Sequence, residues 1–412
     1  MTGAGPGLLS DRVRSIGTSA TIAMSQRAAA MRASGVDVIS MAVGEPDFET
    51  PPHIIEAAHA AALSGFTRYT AADGGPGVKQ AVQRKLLRDN GLTYTAPEIH
   101  VASGCKQVIQ NAFAATLNPG DEVIVFTPCW VSYIDIIEFA GGTAVLVPTG
   151  AQDGFQVDAQ ALRDAITPRT KWVLLNSPNN PTGAVCPALL LDAIAAVLQE
   201  HPGVLVMADE IYEHLVYDGV EHVSILQRAP QLRDRVLLVN GVSKSYSMTG
   251  WRIGFGAGPQ WLTAAMANVQ SQTAGSSCSI AQAAAAEAMT GDQANLPLWR
   301  ERLTRRRDLA LPILARSRWL SVNRPDGAFY LYAGVHACIG ARTPQGTVLQ
   351  DDTAVVEYLL VQGHVATVPG EAFAMSPFVR FSFALDDERL AQACQRIVDA
   401  LDKLQAPTGG GV

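Results

Sequence analysis

Cysteine is sparse and unpaired in this 412-residue sequence. Its six thiols, Cys105, Cys129, Cys186, Cys278, Cys338 and Cys394, form no CxxC pair and are too scattered to staple a chain of this length. They read as reduced thiols of a cytoplasmic protein. An excess of positive charge is also missing: 31 Lys and Arg stand against 38 Asp and Glu, a net charge of -7, so nothing in the balance recommends nucleic acid as a partner. Nor is there a run of the ~20 apolar residues that a membrane helix needs. The stretch from Ile253 to Ala286 carries no charge, but Gly, Pro, Gln, Asn and Ser interrupt it, and it reads as buried. The N-terminus lacks the apolar core of a secretory signal, and Asp11 argues against a transit peptide. No internal repeat is found, and low complexity is confined to the Gly-rich ends MTGAGPG and PTGGGV, which are expected to fray.

What is present fits a large globular protein and not a disordered one. Hydrophobic residues make up 48% and charged residues 17%. The chain exceeds the ~250–300 residues at which one core stops growing, so a large lobe with a smaller one is expected. Short apolar runs alternate with longer helical patterns, the mark of an α/β protein with a mainly parallel sheet. The runs are EVIVFTP (122–128), KWVLLNSP (171–178), GVLVMAD (203–209), RVLLVNG (235–241) and RIGFGAG (252–258), with helical patterns such as PALLLDAIAAVLQEH (187–201) between them. Past residue 300 an Arg-rich helical segment (299–315) leads to the short strands GAFYLYAG (327–334) and FVRFSFAL (378–385) and a last amphipathic helix (387–404), which suggests the smaller lobe.

The unusual residues fall at strand ends. Trp130 follows the first run, Asn180 the second, Asp209 and Tyr212 the third and Lys244 the fourth, while Arg252 opens the fifth. In an open α/β sheet, ligands bind outside the carboxyl ends of the strands. Lys244 sits in NGVSKSYSMTGWRIGF (240–255), among small and hydroxyl residues and without an acidic neighbour. A lysine partly withdrawn from water and near other cations loses basicity and becomes a nucleophile toward aldehydes. With a phosphate-binding arginine and a strand-terminal acid, such a lysine supplies the parts that hold pyridoxal phosphate. Read singly, each residue has an ordinary alternative: Lys244 a solvated lysine, Asp209 a helix N-cap, Tyr212 and Trp130 packing aromatics.

Taken together, GVSK (241–244) with GWRIG (250–254), AVGEPDF (42–48), NSPNNPTG (176–183), ADEIY (208–212), GAFY (327–330) and VRFS (379–382) resemble, in order, the motifs of the class I, fold type I pyridoxal-phosphate aminotransferases, in particular bacterial aspartate aminotransferases. The resemblance runs from about residue 10 to 404. It implies a large domain (46–300) with a mainly parallel seven-stranded sheet flanked by helices, a smaller α/β domain (301–412) joined by the segment 1–45, and a homodimer that shares its active sites. It also implies roles. Lys244 would hold the cofactor as a Schiff base and then carry the substrate's Cα proton, and Asp209 would pair with the pyridine nitrogen. Tyr212, expected on one helical turn with Asp209, would bond the phenolic oxygen together with Asn180. Trp130 would stack on the ring. Gly104, Cys105 and Lys106 at a helix start, Ser243, Arg252 and a neighbouring subunit's Tyr69 would receive the phosphate. Gly241 stands where many relatives have a serine hydroxyl, leaving that cup one donor short.

For the substrate, the resemblance gives the α-carboxylate to Arg380, assisted by Gly44 and Asn180. An arginine within a strand has the alternative of an edge-strand charge. Lys106 resembles the lysine that one branch of these enzymes uses for the second carboxylate of aspartate or glutamate, with the hydroxyls of Ser19 and Thr21 nearby. The arginine that other branches place between Ser271 and Ser277 is missing here. The amino group would pass to a 2-oxo acid such as 2-oxoglutarate. The alternatives are transamination of prephenate, aromatic or other biosynthetic substrates, and a fold-sharing C–S lyase, decarboxylating enzyme or amino-acid oxidase. No metal site is expected.

Overall fold

Successive residues of the apolar runs point to opposite faces of one sheet, and both faces are covered, which is why the runs show no polar alternation. The computed structural model describes residues 8–406, so the two Gly-rich ends lie outside the described residues. Its strands are β1 (Ile39–Ser40), β2 (Ile99–Ala102), β3 (Glu122–Thr127), β4 (Thr143–Pro148), β5 (Thr170–Asn176), β6 (Leu205–Asp209), β7 (Val236–Gly241), β8 (Gly254–Ala257), β9 (Ser321–Val322), β10 (Tyr330–Gly334), β11 (Val365–Ala366), β12 (Val368–Pro369) and β13 (Phe378–Ser382). Seven of them form one sheet in the order β2-β8-β7-β6-β5-β3-β4, parallel except for β8. From β3, Ile124 and Phe126 enter one core while Val123 and Val125 enter the other; β5 divides Val173 and Leu175 from Trp172 and Leu174 in the same way.

All five expected runs of the large lobe are strands of this sheet. Two further strands were not among the expected runs. β2 is four residues long and contains His100, which is fully buried and bonded to Gln270 at 3.0 Å. β4 is an edge strand, half of whose residues are exposed; its sequence TAVLVP does carry an apolar run, at 144–147, that was not singled out. The uncharged stretch 253–286 becomes β8 and parts of two helices, Gln260–Thr273 and Ser279–Thr290; it is not buried throughout, because Trp261 is exposed. No helix among the described residues is long and apolar enough to cross a membrane.

The remaining architecture forms around a second, four-stranded antiparallel sheet, β12-β13-β10-β9. The long helix Asn295–Leu314 and the last helix Asp387–Leu401 pack on each other and share this sheet's hydrophobic core. The early segment belongs with them: β1 pairs with β11, and Met24, Ala28, Val38 and Ile39 enter the same core.

Because β8 runs against its neighbours, its first residue lies beside the last residue of β7, with Gly254 opposite Gly241. The helix Cys105–Thr116, which follows β2, starts directly against this point. A Cβ on Gly254 would lie 2.4 Å from the Cys105 nitrogen and 2.5 Å from the Gly104 carbonyl carbon, both backbone atoms that cannot step aside alone. A Gly254→Ala protein should therefore lose about 1–3 kcal/mol of stability, as overpacked sites do. Gly250→Ala, at a position with nothing within 4 Å, should match the parent. Urea unfolding of both variants checks this.

Candidate active site

The carboxyl ends of β3, β5, β6 and β7 and the start of β8 border an open cleft of about 270 Å³. Its lining includes Lys106, Trp130, Asn180, Asp209, Tyr212, Ser243, Lys244, Arg252 and Arg380, with Gly44, Cys105, Ser19 and Thr21. Of the residues to which the resemblance gives a role, Tyr69 and Gly104 are not among the lining residues. Gly104 caps the helix at Cys105, whereas Tyr69 is 96% exposed on the outer surface.

Lys244 follows β7 in a tight turn, and its Nζ donates to the Gly44 carbonyl at 2.5 Å. Withdrawal from water lowers its pKa to about 8; Glu45 and Cys105 oppose that shift, while Arg252 and Arg380 add to it. Asp209, the last residue of β6, is buried, and burial raises its carboxyl to about 6. Its Oδ2 accepts from the Tyr133 hydroxyl at 2.6 Å and its Oδ1 from the Ile211 N–H at 3.3 Å. No helix follows Asp209, so the N-cap alternative does not hold; the Ile211 contact closes a turn instead. Tyr212 stands on a turn, not on the helix that was expected, because the chain goes from β6 through residues 211–214 directly into an extended segment. Its hydroxyl meets that of Tyr330 at 2.8 Å.

The helix start at Cys105 offers backbone N–H groups that have no intrahelical acceptor, together with the positive end of the helix dipole. Arg252, in a left-handed backbone conformation, lays its guanidinium beside this start and donates to Thr249 O at 2.8 Å. Only glycine at 104 permits this, since a Cβ there would lie 2.4 Å from Arg252 Nη2. A side chain at Gly241 would lie 3.2 Å from the Cys105 sulfur and closer still to backbone of residues 253 and 254. The cysteine thus occupies the room that a hydroxyl side chain at 241 would use.

Arg380 lies on β13, flanked by β10 and β12, and is 2% exposed, which rules out the edge-strand alternative. It donates to Asn180 Oδ1 at 2.9 Å and to Ala42 O at 2.6 Å, between the rings of Tyr330 and Phe373. Its Nε has no partner, and no carboxylate pairs with it among the described residues. A buried guanidinium in that state is set to receive an anion. Lys106 holds its Nζ 5.0 Å from the centre of the Trp130 ring; partial burial and the nearby Arg252 lower its pKa.

Sequence reasoning missed three residues. Tyr133, three places after Trp130, packs edge-on against its ring at 5.2 Å, and that spacing on a helix start was the available signal. Tyr330 closes GAFY and fixes Tyr212. Glu213 gave no signal: buried, it accepts from Asn240 at 2.6 Å and Asn90 at 2.9 Å and pairs with Lys85. Burial alone would raise its pKa, but Lys85, His214 and His222 draw it down to about 2. Because Asn240 lies near the end of β7, this network joins the turn bearing Tyr212 to the strand leading to Lys244.

Four cations and one carboxylate thus converge where the strands end, a set that fits a phosphorylated, aldehyde-bearing ring and a carboxylate substrate. The sequence profile of "Aminotransferase class I and II" matches residues 36–397. An aspartate aminotransferase of Rhizobium meliloti is 47% identical over 95% of this chain and 96% of its own length. An aspartate/prephenate aminotransferase of Cereibacter sphaeroides is 48% identical, covering 94% and 97%. Among solved structures, the Rhizobium meliloti aspartate aminotransferase superposes with a TM-score of 0.93 (47% identity; 96% and 99% covered) and that of Thermus thermophilus with maleate with 0.89 (43%; 95% and 99%). The profile match spans the strand ends that border the cleft, and the chain belongs to the class I and II aminotransferase family.

Proposed function

We propose that this enzyme binds pyridoxal phosphate in the cleft and moves the amino group of aspartate or glutamate to a 2-oxo acid such as 2-oxoglutarate, in two half-reactions at one site. The observation that carries the reading is that Lys244 and Arg380, two cations withdrawn from water, open onto one cleft with no carboxylate paired to either among the described residues. Bound there, pyridoxal phosphate supplies an aldehyde for an amine and an electron-withdrawing ring that weakens the bonds at the substrate's Cα. The phosphate is received by the N–H groups at Gly104, Cys105 and Lys106, the Ser243 hydroxyl and Arg252. Asp209 keeps a proton on the ring nitrogen, Trp130 covers the ring face, and Tyr212 and Asn180 bond the phenolic oxygen. Tyr330 holds Tyr212 in place. With a pKa near 8, an appreciable share of Lys244 is the free amine at neutral pH, able to attach the cofactor and then to take the proton from the substrate's Cα.

Arg380 grips the α-carboxylate as a two-pronged donor, beside Asn180 and the backbone at Gly44. Lys106, with Ser19 and Thr21, takes the second carboxylate at the open side of the cleft. Support comes from the Thermus thermophilus relative, solved with maleate, a dicarboxylate. The aspartate/prephenate relative favours a second reading in which prephenate is the amino acceptor. Residues 46–300 then form the cofactor domain, and 301–412 with 1–45 the domain whose closure brings Arg380 onto the substrate and excludes water. Six free thiols fit a cytoplasmic enzyme. Tyr69, with exposed Leu63 and Phe66 near it, fits a homodimer in which a second copy's Tyr69 reaches the phosphate.

Borohydride treatment of the holoenzyme should leave one pyridoxyl group, on Lys244, by peptide mass. Aspartate or glutamate should bleach the bound cofactor's visible band, and 2-oxoglutarate or prephenate should restore it; turnover of an amino acid that leaves the band in place would indicate lyase chemistry. Lys106→Ser should cut kcat/KM for aspartate about 10- to 100-fold and leave a neutral amino acid nearly unaffected. Unchanged preference for aspartate removes the acidic-substrate reading. Arg380→Lys, which keeps the charge but loses the fork, should lower kcat/KM for every amino acid by a similar factor.

A further inference from the structure

Asp209 is the one acidic residue lining the cleft, and its ionisation is not assured by its surroundings. Burial favours the neutral acid, and Glu210 next to it adds to that effect. Lys244 favours the anion from across the cleft, while Cys105 and Tyr212, the other titratable groups that face Asp209, are uncharged acids whose own pKa values burial pushes up. No arginine or histidine bonds the carboxylate. Its strong contact is the 2.6 Å hydrogen bond from Tyr133, a residue of the helix Ser132–Phe139 beside the end of β3. That phenol is itself buried, and it remains a donor because burial and Asp209 both oppose its ionisation. The second contact, from the Ile211 N–H at 3.3 Å, is longer.

We propose that Tyr133 is a positioning residue for the reaction: by donating to Asp209 Oδ2 it keeps that carboxyl group an anion and turns its other oxygen toward the ring nitrogen of the bound cofactor. The inference rests on the cofactor reading above. A hydrogen bond to the charged form favours that form, so the donor extends the anion's range to lower pH. The tyrosine ring also meets Trp130 edge-on at 83°, so the carboxylate and the aromatic wall of the cleft are set by one side chain. Tyr133 does this without bringing a charge into the site, as an arginine there would.

Removing the hydroxyl tests the idea. Cofactor affinity that needs the Asp209 anion is present above the carboxyl's pKa and lost as pH falls through it. In Tyr133→Phe, which keeps the ring against Trp130, the acid edge of pyridoxal phosphate affinity, read by absorbance as a function of pH, should move up by about one to two pH units. Midway between the two edges the variant should bind about three- to tenfold more weakly, and at high pH the two proteins should converge. Superposable edges, with or without a changed melting temperature, would mean that Tyr133 only packs, and would overturn the proposal. If Tyr133→Phe does not fold, 3-fluorotyrosine at position 133 alone, a stronger donor of nearly equal size, should move the edge down; an unmoved edge is again contradictory. Failure of the parent protein to bind pyridoxal phosphate at all would sink the cofactor reading, an outcome distinct from either result.

Discussion

A charge removed from water has to be answered by another charge or by hydrogen bonds, and the cleft leaves its cations largely unanswered. Lys244 has a backbone carbonyl and Arg380 has an amide and a carbonyl, while Arg252, which is exposed, has two carbonyls. Elsewhere in the molecule buried cations are matched: Lys85 pairs with Glu213, and Arg307 with Asp218 and Asp308. The contrast marks the cleft as a place where anions arrive from outside, and it does so in a chain whose net charge is -7. On the proposed function, phosphate, α-carboxylate and side-chain carboxylate would be three such anions, each met by a different cation.

The fold produces this imbalance by topology. Parallel strands β3, β5, β6 and β7 bring their carboxyl ends to one edge, and the reversal of β8 returns Arg252 to that same edge. Glycine at 104 and at 254 lets a helix start press against β8, so that backbone N–H groups and the Arg252 guanidinium share one small region. Arg380 arrives from the other sheet, on a strand flanked by two neighbours, and its contact with Asn180 is the polar link across the cleft. The hydroxyl pair Tyr212–Tyr330 is a second such link.

Much of this was legible from the residues. Strands buried on both faces announce themselves as continuous apolar runs, so β3, β5, β6, β7 and β8 were visible; β2 was not, since it is short and carries a buried histidine, and β4, a half-exposed edge, was passed over although it carries the apolar run 144–147. Lys244, Asp209, Tyr212, Asn180 and Trp130 could be placed near one another because each follows a strand. Their partners could not. Tyr133 is apolar in outline and polar at one atom, and whether that atom meets Asp209 depends on how a helix start sits beside β3. Glu213 looks like any acidic residue of a turn until the fold buries it beside Lys85, Asn90 and Asn240. The helix expected at Tyr212 failed because a strand-end motif does not say how tightly the chain turns.

The account stands on the claim that Lys244 has given up basicity because the fold withdraws it from water and sets Arg252 and Arg380 near it. Labelling of the cofactor-free protein with an amine-reactive aryl sulfonate, followed at the Lys244 peptide by mass as pH is raised, reads this directly. Half-maximal labelling rate near pH 8 is the predicted result; a midpoint near 10.5, that of an ordinary lysine, would contradict it.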